Sequence, residues 1–373
     1  MTDASAQSLP PLVTASTALF PCAALIKEIG RGANGARALP RATAHDLYAA
    51  MLDGRVSDIE LGAVLMAYRI KGEAAEELAG MLHAAHAQLN ALPLPVGPYR
   101  PVSIPSYNGA RKQRNLTPLL AGLLAKRGVP VMVHGVRTDA GRVTSAEIFT
   151  AMGVASAESI AAASEALDKD RMTFVPIDVL SPALTRLLNM RKLLGVRNST
   201  HTLVKLLDPF TASSITASSI TASHVSAAGH NAASATLSAT GTPSDATHAR
   251  HAIRLVNYTH PPYRDSLAAL FTEFADIASG DILLARGTEG EAVADTRRQV
   301  QVDWLHDGKI ETLISAARSP ASEMGEGAVP PAPPALDAVS TAVWIHAALA
   351  DESLVPEAIL RQVDTITRIA EKS

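Results

Sequence analysis

Cysteine is almost absent: Cys22 stands alone among 373 residues, so no internal disulfide can staple the fold. Its neighbours Leu19, Phe20, Ala23, Leu25 and Ile26 form an apolar helix face, which predicts a core thiol rather than a nucleophile. No stretch approaches the roughly 20 apolar residues that a spanning helix needs. Met1 to Pro11 lacks a basic segment followed by an apolar run, so neither secretion nor membrane insertion is expected and the cytoplasm fits. Helix-turn-helix and zinc modules are missing too, which leaves shape and charge as the means of reading any nucleic acid.

Acid is also missing, but only locally. Between Arg100 and Arg142 eight bases (Arg100, Arg111, Lys112, Arg114, Lys126, Arg127, Arg137, Arg142) face one acid, Asp139. Five more (Arg186, Arg191, Lys192, Arg197, Lys205) follow with no acid among them. The net charge of −3 hides this, because Arg41 to Leu82 holds seven acids against four bases. A phosphate backbone feels local potential, so a polyanion is the natural partner.

With 47% apolar residues and a length above the usual single-core limit, the chain predicts two unequal domains. Residues 1–95 read as an amino-terminal helical domain. Apolar stripes at i, i+3, i+4 run through Leu47–Leu52, Leu61–Met66 and Leu78–Leu82, and Ser57 with Glu60 forms a capping box. Residues 96–373 read as an α/β domain with a mostly parallel sheet. There short apolar runs (Val102–Ile104, Val129–Val133, Met172–Val175, Ile282–Leu284) alternate with helical patterns such as Leu116–Lys126, Ser145–Met152 and Leu184–Gly195. Residues 211–250, built of Ser, Thr, Ala and His, predict a disordered insertion. Pro-rich residues 328–335 predict a stiff linker before a last helical segment, Ala338–Glu371.

Gly30-Arg31-Gly32-Ala33-Asn34-Gly35 matches a dinucleotide-binding pattern but follows a helical run, so a helix carboxyl cap is expected. His83 and His86 lie three apart without a third metal ligand and read as a helix surface.

The helical stretch Asp53-Gly54-Arg55-Val56-Ser57-Asp58 through Leu65–Glu73 resembles the anthranilate phosphoribosyltransferase family, also called glycosyltransferase family three. The likeness runs from Leu19 to the carboxyl end except for the insertion. It implies a small helical dimerisation domain, with Ile59, Val64 and Met66 at the interface of a homodimer, and a larger α/β domain. Enzymes of that family hold magnesium phosphoribosyl pyrophosphate on a Gly-Thr-Gly-Gly-Asp loop, an Asn-x-Ser-Thr turn, a Lys-His-Gly-Asn stretch and a late Asp-Glu pair. Here these read Pro105-Ser106-Tyr107-Asn108-Gly109, Asn115-Leu116-Thr117-Pro118, Val133-His134-Gly135-Val136, and Ala292-Val293 at the late pair. Losing the glycines and the carboxylates together argues against leaving-group chemistry and for no catalytic residue, metal or cofactor. Pro105–Arg111, Val133–Arg137 and Arg286–Glu291 resemble instead the bacterial YbiB group of this fold, which implies binding of DNA, and of RNA or single strands, without sequence preference.

The predicted phosphate contacts are Arg111, Lys112, Arg114, Asn115, His134, Arg137, Arg142, Arg191, Lys192, Arg197 and Lys205, with Tyr107 offering a ring on which bases can stack. The alternative is an active phosphoribosyl transferase with an unidentified acceptor, which would use magnesium and phosphoribosyl pyrophosphate. It retains Asn115, His134, Gly135 and Arg197, the last matching a family arginine that meets the acceptor's carboxylate.

Overall fold

The computed structural model describes residues 18–32, 34–210, 251–274, 276–277, 280–317 and 336–371. The predicted insertion at 211–250 and the linker at 328–335 lie outside the described residues.

Four helices come first among the described residues: α1 (Ala23–Ile29), α2 (Arg41–Leu52), α3 (Asp58–Lys71) and α4 (Ala75–His86). Their apolar stripes meet in one core, where Cys22, Leu47, Leu65 and Leu82 are buried. Burial pushes the Cys22 thiol up to about 11, so it is an inert core group. Gly30 caps α1, as its sequence context predicts. The Ser57 capping box is not formed: the hydroxyl donates to the Glu60 carboxylate at 2.6 Å and accepts no backbone amide. Val64 is fully buried inside this core and cannot serve an interface, whereas Ile59 is 87% exposed.

The rest alternates strands and helices: β1 (Val102–Ser106), α5 (Thr117–Lys126), β2 (Val131–Gly135), α6 (Ser145–Ala151), α7 (Ile160–Asp170), β3 (Met172–Pro176), α8 (Ile177–Leu180), α9 (Pro182–Leu194) and α10 (Thr200–Leu203). Then come β4 (Ile253–Tyr258), α11 (Pro261–Glu273), β5 (Asp281–Arg286), β6 (Val302–His306), β7 (Lys309–Ile314), α12 (Ala338–Ala350) and α13 (Glu357–Ala370). The sheet runs β3-β2-β1-β4-β5-β6-β7. It is parallel from β3 to β5, with Val102 beside both Val131 and Ile253, and antiparallel beyond. This is the predicted class: a small helical domain and a larger α/β domain with a mostly parallel sheet.

Alternation along the strands divides two cores. Val131 and Val133 face the layer of α5, α6, α12 and α13, while Met132 faces the core shared with the helical domain. The single helical segment predicted from Ala338 divides in two, because Asp351 ends α12 and Pro356 starts α13.

After β1 the chain steps to β2 and β3 on one side, then returns to place β4 on the other. Open α/β sheets bind ligands at such a switch point, outside the carboxyl ends of the strands. The loop after β1, residues 107–116, emerges there.

Candidate functional site

Two loops interlock at this edge. In the loop after β1 the backbone amides of Asn108 and Gly109 donate to Glu291 Oε1 at 2.9 and 2.7 Å. Those of Arg111 and Lys112 donate to the two oxygens of Glu289 at 2.9 and 2.7 Å. Glu291 is fully buried, and the Thr117 hydroxyl reaches its other oxygen at 3.4 Å. Burial pushes its carboxyl up from the usual range, while Ser106, Lys205 and the two amides pull it down. Two glycines permit the fit. Gly109 takes φ +62° with a Val143 carbonyl 2.9 Å from where a Cβ would lie, and at Gly290 a Cβ would strike the Asn108 amide.

The predicted cations fall into distinct groups. Arg111, Lys112 and Lys192 are exposed, and Arg114 and Arg197 are half-buried. Their side chains meet no carboxylate among the described residues. Lys205 donates to the Gly290 carbonyl at 3.2 Å, and burial, with Arg197 and Arg142 nearby, brings its amine down to about 8. Burial and then the Arg191 and Arg142 charges lower the Arg197 pKa, so three guanidinium groups and an amine crowd one spot.

Other bases of the two runs are engaged within the fold. Arg137 is neutralised by Glu158 and Asp178, each at 3.2 Å. Arg191 pairs with Asp139 at 2.8 Å, while Arg142 holds the Gly109 carbonyl and lies 3.9 Å from Glu289. Lys126 and Arg127 are turned toward Glu352. The local basic excess seen along the chain is therefore smaller in space, because the fold imports acids from other elements. Asn115 is buried, its amide donating to Ser145 and its oxygen accepting from Thr117 at the start of α5.

The Tyr107 and His134 expectations are corrected. They are 4% and 1% exposed, and the phenol and Nδ1 share a 2.7 Å hydrogen bond, so neither reaches a base or a phosphate. Burial lowers the His134 pKa to about 3. His86 is not on a helix surface: it is buried, accepts from the Asp208 amide at 3.0 Å, and burial lowers its pKa to about 4. Both are neutral when folded but take up a proton near pH 6.5 when unfolded. Their contribution to stability is full above pH 6.5 and falls as the pH drops toward 4, by about 1.4 kcal/mol per pH unit for each. Urea midpoints at pH 7 and pH 5 check this, and equal midpoints would contradict it.

A cleft of about 670 Å³ beside Arg114 is lined by Asn257, Arg286, Arg297, Arg298 and Arg361. Sequence reading missed it because these arginines come from separate elements and are interspersed with acids. Asp295 takes Arg297 and Arg298, and Glu357 takes Arg361.

Magnesium and phosphoribosyl pyrophosphate do not fit these residues. The loop amides already hold carboxylates, and Ala292 and Val293, which the resemblance sets at the family's metal-binding pair, are buried and apolar. Among the described residues no group of three or more His, Cys, Asp or Glu side chains is placed to hold a metal ion.

Residues 23–88 match the helical bundle domain of the glycosyl transferase family. The Escherichia coli K12 protein YbiB, itself uncharacterized, is 38% identical over 339 residues, covering 91% of each chain. The anthranilate phosphoribosyltransferase of Methylobacterium radiotolerans is 30% identical over 178 residues, 48% of this chain and 50% of that enzyme. The crystal structure of the Thermus thermophilus anthranilate phosphoribosyltransferase superposes with a TM-score of 0.59 at 19% identity, covering 93% of both chains, a likeness of fold.

Proposed function

Since this chain belongs to the YbiB family, on the fold of the anthranilate phosphoribosyltransferases, we propose that it binds nucleic acid without sequence preference through a band of cations at the carboxyl edge of the sheet. One observation carries the reading. The inner amides of the edge are closed on Glu289 and Glu291, while exposed Arg111, Lys112 and Lys192 and half-buried Arg114 and Arg197 have no carboxylate partner among the described residues. Such an edge suits a chain of phosphates running over it better than one small phosphate held within it. DNA is the first ligand, and RNA shares its chemistry. Stacking, where it occurs, falls to the guanidinium planes, because Tyr107 is buried.

We place this activity in a cytoplasmic homodimer. Ile59, Met66 and Ile70 share the outward face of α3, with Ile59 and Ile70 exposed, and a second copy of the chain would bury that apolar stripe. Two bands on one particle raise avidity for long strands. Light scattering on a gel-filtered sample is expected to give twice 39.0 kDa, and a monomer mass would rule the dimer out.

Fluorescence anisotropy with labelled single-stranded and duplex DNA tests the binding. The variant Arg111→Ala/Lys112→Ala/Arg114→Ala is expected to lose about tenfold or more in affinity at moderate salt. Unchanged affinity would overturn the reading. Calorimetry with phosphoribosyl pyrophosphate and magnesium covers the transferase alternative, for which saturable micromolar binding would be required.

A further inference from the structure

Four amides of one loop, those of Asn108, Gly109, Arg111 and Lys112, converge on two carboxylates of another at 2.7–2.9 Å. Convergent backbone amides are the way a turn binds phosphate, and charge-assisted bonds of this kind are strongest away from water. The carboxylates here are not incidental neighbours. Glu291 is fully buried, Glu289 adopts a left-handed φ of +51°, and Asn108 locks the loops by donating to the Glu289 carbonyl at 3.3 Å. Lys205 on the Gly290 carbonyl and Arg142 on the Gly109 carbonyl brace the same junction from the cationic side.

We propose that Glu289 and Glu291 are resident anions in a phosphate cradle, and that this pair sets the ligand class of the chain. While they hold the amides, a small phosphate or pyrophosphate must displace a buried carboxylate to enter. Removing them leaves four unpaired donors facing Lys205, Arg142 and Arg197, a ready site for a compact polyphosphate. The inference does not require that the outer band bind nucleic acid, because it concerns the inner amides and a ligand of another size.

The test is calorimetric titration of the full chain with inorganic pyrophosphate in magnesium-free buffer. The double variant Glu289→Ala/Glu291→Ala is expected to bind saturably, one per chain, at least tenfold more tightly than the unmodified protein. Glu291→Gln alone is expected to stay closed, because its single carboxamide oxygen can still accept the Asn108 and Gly109 amides, which share Glu291 Oε1. The gained site is expected to persist when Arg111, Lys112 and Arg114 are also alanine, since those substitutions keep their backbone amides. If the double alanine variant does not fold, Glu289→Ala alone frees the amides of Arg111 and Lys112 at the open end and is expected to show a weaker gain. Pyrophosphate binding by the unmodified chain within threefold of a folded alanine variant would overturn the proposal, as would a folded alanine variant that binds none. Oligonucleotide binding measured on the same samples reports separately on the outer band.

Discussion

Raising monovalent salt from 50 to 200 mM is expected to weaken oligonucleotide binding by about 500-fold. Each phosphate contact releases close to one counterion, so five cations without a carboxylate partner give a slope of log K against log salt of about −4 to −5. The number follows from which cations are free rather than from how many the chain contains. Counting all thirteen bases of the two basic runs would give a far steeper slope. Arg137, Arg191, Lys126 and Arg127 already hold carboxylates and release little when a phosphate arrives. Anisotropy titrations at four salt concentrations measure the slope. A slope near zero would remove the electrostatic basis of binding.

Arg254→Met is expected to lower stability by about 3–5 kcal/mol, the usual cost of leaving a buried charge without its partner. Arg254 lies on β4 next to the switch point and is 1% exposed. Its guanidinium donates to the carbonyls of Leu206 and Ile277 at 3.0 and 3.1 Å and packs over Phe271. Asp208 is fully buried nearby, and its charge favours the cationic form of Arg254 against the burial that disfavours it. Methionine fills comparable space but satisfies neither carbonyl and leaves the carboxylate without its counter-charge. Because residues 204–210 carry Lys205 and are held by this network, the same variant is expected to weaken oligonucleotide binding in parallel. Urea unfolding measures the loss, and a change below about 1 kcal/mol would show that the network is dispensable.

Much of the fold was legible in short patterns. The apolar runs at 102–104, 129–133 and 172–175 became β1, β2 and β3, and the helix predicted after Ser145 keeps its start at that residue. Where reading failed, a competing feature hid the signal. β4 was missed because Arg254 interrupts its apolar run, and nothing in a single sequence says that an arginine will be enclosed. β6 and β7 were missed because β7 presents a mostly exposed, polar face, although Asp307-Gly308, with φ of 49° and 70°, is a hairpin signal that could have found them.

The site was harder to read for a different reason. Composition along the chain correctly marks where bases gather, but pairing is decided in three dimensions. Glu289 lies 177 residues from Lys112 in the chain, and its carboxylate closes on the Lys112 amide. Tyr107 and Asn115 look like ligand groups in a polar, glycine-bearing loop, yet the carboxyl edge of a buried parallel sheet enclosed both.

The most direct measurement compares salt slopes of three proteins: the unmodified chain, Arg111→Ala/Lys112→Ala/Arg114→Ala, and Arg137→Ala. The triple variant is expected to be shallower by about 3, one ion for each outward cation removed, while Arg137→Ala keeps the original slope because Glu158 and Asp178 already neutralise that side chain. Equal slopes in all three, or a loss in Arg137→Ala as large as in the triple variant, would contradict a nucleic-acid surface built from the unpaired cations of this edge.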